Sequence, residues 1–253
     1  MIARLPNQAL QLTHYSALFQ SADIFTPPKR AVMGQLSATL GRTSGHSVHL
    51  QYLKPQLLEQ RFDREVAGIT QAELFHNPRY QKITEWWVAA RFGLGYEMFV
   101  NPCDVAINEG DHDLDADMFL KASEIQHAFQ IAEVQEEGRR RAQEYRKFEE
   151  GTISSVPYLP GRGAIEGPVW IANGIEKKVK KRYADAKNLN LLIYANFSAT
   201  QLKYEDILDA TQQYRNEFKS IWVLTNHLIA SLYSYPELGH INGWGTFEIQ
   251  PSP

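Results

Sequence analysis

Cysteine is almost missing from this chain: Cys103 is the one thiol in 253 residues. It has no partner for an internal disulfide, and no set of cysteines exists that could hold a structural zinc. A disulfide-stapled miniprotein is excluded, and a reducing, cytoplasmic setting is the expectation. Long apolar runs are missing too. A membrane helix needs roughly 18 consecutive apolar residues, and Asn, Lys or Gly interrupts each candidate run here. No apolar segment follows a basic cluster at the N-terminus, so no secretory signal is read there. A large charge of one sign is also lacking. The formal net charge of -3 and pI near 6.2 exclude a uniformly basic polyanion clamp and leave a local basic face open. The eight histidines are scattered without an HExxH or H-x₃-H pair, so zinc catalysis has no ligand set.

What is present fits one compact domain with an extension: 43% of residues are hydrophobic and 22% charged. Residues 1–50 hold Arg4, Lys29, Arg30 and Arg42 against one acid, Asp23, amid many Ser, Thr, Gln and His. This bias suits an irregular leader or an organellar transit peptide. We read an N-terminal extension over 1–55, an α/β core over 56–235 and a C-terminal tail over 236–253. The segment Asn7–Thr13 resembles the translated recombination site of a mobile integron cassette, which implies a bacterial mobile-element protein with Met33 as an alternative start.

Helical spacing begins near residue 60. Phe62, Val66, Ile69 and Leu74, then Ile83, Trp86, Trp87 and Ala90, mark two helices around an Asn77-Pro78 break. Gly93-Leu94-Gly95 is expected to stop the second helix as a C-cap, with a short β-like run over Tyr96–Val100. Ala116–Ala122 and Gln126–Val134 read as strands. Ser154–Pro168 reads as a loop and Val169–Tyr183 as an amphipathic helix. Leu189–Phe197 and Ser220–Thr225 are apolar strands, separated by a helical face of Tyr204, Leu208, Thr211, Tyr214 and Phe218. The order ααβββαβαβ implies an α/β fold with a mixed central sheet flanked by helices.

Charge is separated along the chain. Residues 97–137 carry eleven acids against the single base Lys121, whereas residues 138–187 carry twelve bases against six acids. Within the acidic stretch, Asp117 begins a strand and Glu133-Val134-Gln135 ends the next. Period-two geometry puts Glu133 and Gln135 on one face, and a hairpin neighbour can bring Asp117 beside them. Two carboxylates with the Val134 carbonyl make an all-oxygen site suited to Mg²⁺, with Mn²⁺ as a substitute. Such an ion polarises a phosphodiester and generates a hydroxide nucleophile near neutral pH. Asp117 could equally cap a strand, and Glu133 could pair with Arg139 at a helix start. Asp111, Asp113 and Asp115 lack the glycine and distal Glu of a calcium loop and read as a solvated hairpin turn.

At these residues the chain resembles the PD-(D/E)xK nuclease superfamily, over roughly residues 60–230. The resemblance implies a restriction-endonuclease-like core in which Asp117 and Glu133 bind the metal. It makes Glu85 an auxiliary acid of the first core helix and puts Gln135 in the usual lysine position. Glutamine orients a water but is no base; Lys121, on the strand face of Asp117 and Phe119, is either a substitute cation or a solvated edge lysine. Arg139, Arg140, Lys177, Lys178 and Lys181 are the expected nucleic-acid contacts, or else a solvated basic face. Pro160-Gly161-Arg162-Gly163 reads as a loop tip or a plain turn.

The leading expectation is therefore Mg²⁺-dependent phosphodiester hydrolysis of DNA, with RNA as a second substrate class and a homodimer compatible with the sequence. The alternatives are a catalytically inactive module of the same fold that binds nucleic acid or protein, and an accessory protein of a mobile element.

Overall fold

A computed structural model describes residues 50–109, 115–152 and 161–247, which fall in one compact unit. The expectations about the leader up to residue 49, Asp111, Asp113, the stretch 153–160 and the last six residues fall outside the described residues. The chain builds α1 (Pro55–Val66), α2 (Gln71–His76) and α3 (Gln81–Phe99), then β1 (Cys103–Ile107), β2 (Met118–Ala122) and β3 (Ile125–Val134). After α4 (Arg141–Glu149) and α5 (Arg162–Val179) come β4 (Asn190–Ala195), α6 (Tyr204–Thr211), β5 (Ser220–Leu224), β6 (Leu228–Tyr233) and β7 (Gly245–Thr246).

The seven strands lie in one sheet in chain order. β3, β4 and β5 are parallel, and antiparallel pairs flank them on both sides. Only the parallel pairs need long crossovers, and α5 and α6 supply them. The result is a mixed α/β fold, as expected, but the element order differs from ααβββαβαβ. The expected C-terminal tail contains β7, which pairs with β6, and Phe247 is buried.

Strand alternation sends the two faces of the sheet to different helices. Ala132, Val134, Leu191, Ile193 and Val223 pack with Trp170, Ile171 and Ile175 of α5. On the other face, Phe92 of α3 meets Phe129 and Trp222 at centroid distances of 5.1 and 5.5 Å, and Trp87 meets Tyr194 at 5.3 Å. The middle of α3, Trp86–Gly93, is buried all round, because α1 covers the side that the sheet does not.

Two helix boundaries depart from expectation for the same reason. α3 runs through Gly93-Leu94-Gly95 to Phe99, so there is no C-cap and no strand over Tyr96–Val100. A Cβ on Gly93 would lie 2.6 Å from Pro55 Cγ, and one on Gly95 would lie 3.0 Å from Phe247 Cε1. These glycines serve close packing, not termination. α5 likewise starts at Arg162, inside the expected loop, because Gly163 lets the helix settle on the backbone of Ser198; a Cβ there would lie 1.9 Å from its carbonyl oxygen. Gly161-Arg162-Gly163 is therefore not a free loop tip: Gly161, at φ 83°, turns the chain into the helix.

Candidate functional site

Asp117 immediately precedes β2. Its backbone N–H donates to the Phe129 carbonyl at 2.8 Å, and its Oδ2 accepts the Ile131 N–H at 2.8 Å. The carboxylate thus takes the β3 amide that β2, departing at this point, no longer reaches. Two lysines flank it. Lys82 Nζ lies 3.9 Å from Asp117 Oδ1, and Lys178 Nζ lies 3.9 Å from Oδ2. Lys82 also contacts Glu85 Oε2 at 2.8 Å, since residues three apart on the first turns of α3 share a face. Lys178 arrives from the last turn of α5 and donates to Gln130 Oε1 at 2.7 Å. The Tyr183 hydroxyl donates to the same oxygen at 2.9 Å, while Gln130 Nε2 donates to the Asp115 carbonyl.

The cluster is half-buried, with side-chain exposures of 14% for Glu85, 22% for Asp117 and 13% for Lys178. Burial raises the Glu85 pKa and the neighbouring Asp117 charge adds to this, while Lys82 and Lys178 oppose it. Burial lowers the Lys178 pKa and the Lys181 charge helps, against the pull of Asp117 and Glu85. Tyr183 is pushed up to about 12, first by burial and then by the Asp117 and Asp115 charges. Burial thus works against the charged forms of both Glu85 and Lys178, while their opposite charges work for them, a balance common at functional sites.

The expected pairing of Asp117 with Glu133 is not what β2 and β3 build. Their register ends with Met118 matched to Phe129, the Asp117 N–H also bonds to the Phe129 carbonyl, and the Asp117 carboxylate reaches β3 at Ile131. Glu133 is two residues, about 7 Å at strand rise, beyond Ile131. Glu133 stands opposite Tyr194 on β4 and accepts from Asn196 Nδ2. The Val134 carbonyl accepts the Asn196 N–H at 2.8 Å as part of the sheet, and Gln135 lies past the end of β3. The structure thus does not bring Glu133 and Val134 to Asp117; the acid beside Asp117 is Glu85, which shares Lys82 with it. Lys121 is also removed from the site: it is four residues, about 13 Å, along β2 from Asp117 and pairs with Glu124 at 2.8 Å.

Of the expected nucleic-acid contacts, Lys178 belongs to the cluster. Lys177 and Lys181 are exposed at the C-terminal end of α5, beside it. Arg139 is bound to Glu144 at 2.9 Å with 14% exposure, a structural pair at the start of α4 and not a free phosphate ligand; the neighbouring Arg140 is exposed. Sequence reasoning missed Lys82, Gln130 and Tyr183. A signal existed for Gln130, a polar residue inside the apolar run Phe129–Ala132. Lys82 carried only its spacing from Glu85.

Mg²⁺ is commonly held by one or two carboxylates plus waters. Glu85 and Asp117 fit that demand, and both already draw the Lys82 ammonium. No group of three His, Cys, Asp or Glu suited to a metal occurs among the described residues, so a zinc-type cage is not built there. No helix among them is long and apolar enough to cross a membrane.

No family model matches the chain, and no curated protein matches it. It matches the solved structure of a Pseudomonas aeruginosa protein of unknown function described as belonging to the monooxygenase superfamily. That match has 14% identity and a TM-score of 0.41 over 77% of this chain and 94% of the other. The resemblance to PD-(D/E)xK nucleases is corrected accordingly: the comparisons give it no relative, and the structure they find is described as a member of another superfamily.

Proposed function

We propose that the protein hydrolyses phosphodiester bonds of DNA with the help of Mg²⁺, at the cluster of Glu85, Asp117 and Lys178. The observation that carries this reading is the convergence of two carboxylates and a buried lysine from α3, the β2 start and α5, with Gln130 and Tyr183 fixing the lysine. Glu85 and Asp117 would hold the ion, with Mn²⁺ as a substitute. When bound, it would polarise the phosphoryl oxygen and acidify a water. Lys178 would donate to the phosphoryl oxygen or orient the attacking water, and Lys177 and Lys181 would hold neighbouring phosphates. A cytoplasmic setting belongs to the proposal.

The test is cleavage of plasmid and linear DNA, and of RNA, by purified protein with Mg²⁺ or Mn²⁺. Asp117→Asn and Lys178→Met are expected to lower turnover by about 100-fold or more, the usual worth of a residue acting on transition-state charge. Glu133→Ala is expected to stay within about threefold of wild type, because the register keeps it out of the cluster. Intact nucleic acid in every condition would sink the reading, and so would an Asp117→Asn protein that cuts normally.

A second reading is a nucleic-acid-binding module without hydrolysis. Gln130, a neutral group, shares Lys178 with Asp117 where a second strand carboxylate would strengthen a metal site, and this favours it. Salt-sensitive binding that needs no metal and survives Asp117→Asn would select it.

A further inference from the structure

We propose that Lys82 is an internal cation that locks the carboxylate pair and must be displaced before a divalent ion can bind. The inference rests on the proposed role of Glu85 and Asp117 as metal ligands and goes beyond it to how that site is regulated.

Lys82 Nζ lies 2.8 Å from Glu85 Oε2 and 3.9 Å from Asp117 Oδ1, so one ammonium contacts both carboxylates. Lys178 approaches Asp117 by its other oxygen and is anchored elsewhere, on Gln130. The two lysines differ in their freedom. The Lys178 side chain is 13% exposed and fixed by its acceptor, whereas that of Lys82 is 44% exposed and makes its contacts only by reaching across from the first turn of α3. A long, flexible, half-exposed side chain can swing into water with its charge hydrated, which Lys178 cannot do without giving up its bond to Gln130. A divalent ion of higher charge density would then replace Lys82 on Glu85 and Asp117. Phosphate groups arriving with the ion would give the released ammonium a new partner. Metal loading would thereby be coupled to substrate, and the resting protein would keep its two acids neutralised.

The experiment measures Mn²⁺ binding to the full chain by electron paramagnetic resonance of the free ion, without nucleic acid. Lys82→Met is expected to bind Mn²⁺ about threefold to tenfold more tightly than wild type, the worth of one half-exposed ion pair. Lys82→Gln carries the same expectation and is measured alongside, with thermal unfolding to verify that each variant is folded. Lys82→Arg, which keeps the cation, is expected to bind no more tightly than wild type, and Glu85→Gln is expected to lose binding. Equal affinities for wild type and both neutral Lys82 variants overturn the lock and leave the metal site standing. Absence of Mn²⁺ binding at millimolar concentration in every form overturns the lock together with the metal reading beneath it.

Discussion

Gln130 shows how a single amide organises charged neighbours. Its oxygen accepts from Lys178 and Tyr183, and its nitrogen is held by the Asp115 carbonyl, so the amide has one orientation. Gln130→Leu leaves an ammonium and a hydroxyl without their acceptor. It is expected to cost about 2–3 kcal/mol by the penalty for unpaired buried polar groups, measured by urea unfolding. A second buried group sets a pH response. His127 is 2% exposed, its Nδ1 is 2.8 Å from the Tyr235 hydroxyl, and its Nε2 is buried without a partner. Burial, with help from the Lys219 charge, lowers its pKa from 6.5 to about 4. The unfolded chain therefore takes up a proton below 6.5 that the folded chain refuses until about 4. Stability is fully present above that window and falls as pH drops through it, by about 3 kcal/mol. Glu59, Asp63 and Glu85 oppose this, since carboxyls raised by burial favour folding as pH falls. The check is a comparison of wild type and His127→Phe by urea unfolding at pH 7 and 4.5: the variant is expected to lack this component of the loss.

At the scale of elements, glycine and buried charge decide how helices sit. The Gly163 Cα faces the Ser198 carbonyl so closely that a methyl group would collide with backbone. Gly163→Ala is expected to destabilise by at least about 2 kcal/mol, although alanine favours a helix by about 1 kcal/mol. Asn173→Ala, exposed on the same helix, is expected to change stability by less than about 0.5 kcal/mol. Thermal unfolding of the two variants tests the contrast. α1 and α3 are joined by Arg91 and Glu59, an ion pair at 3.1 Å with side-chain exposures of 4% and 12%. Arg91→Met leaves Glu59 buried without its countercharge and is expected to cost about 3–5 kcal/mol in denaturant unfolding. None of this was legible from local pattern. The Gly93-Leu94-Gly95 triplet has the form of a helix stop, and only the approach of Pro55 and Phe247 explains why the helix continues.

Across the whole molecule, the charge separation of the chain is partly settled inside the fold. Lys54 pairs with Asp104 at 2.9 Å and Arg61 with Glu109 at 3.0 Å, so α1 covers part of the acidic centre. The basic flank loses some of its charge to Glu144, Glu166 and Glu176. Lys177, Lys181 and Arg182 remain exposed beside the Asp117 cluster. If they meet phosphates, the double variant Lys177→Gln/Lys181→Gln is expected to flatten the slope of log affinity against log salt by about 1.8, two phosphate contacts at about 0.9 each. Binding titrations at several salt concentrations test this; an unchanged slope would place the interface elsewhere.

The sequence by itself determined the α/β class, the mixed character of the sheet and the identity of most of its strands. Hydrophobic periodicity is a local property, and runs such as Leu189–Phe197 and Ser220–Thr225 can be buried only as central strands. It also marked Asp117 and Glu85 as acids worth attention. The tertiary structure alone decided which charged groups meet. Lys82, Asp117, Gln130 and Lys178 come from four separate segments, and their contacts depend on strand register and on how deeply a helix settles. The spacing of Asp117 and Glu133 is compatible with a shared site, but the Asp117 carboxylate takes the Ile131 N–H while Glu133 accepts from Asn196. A pairing register is fixed by the packing of both strands against the helices on either face, and no short motif carries that information.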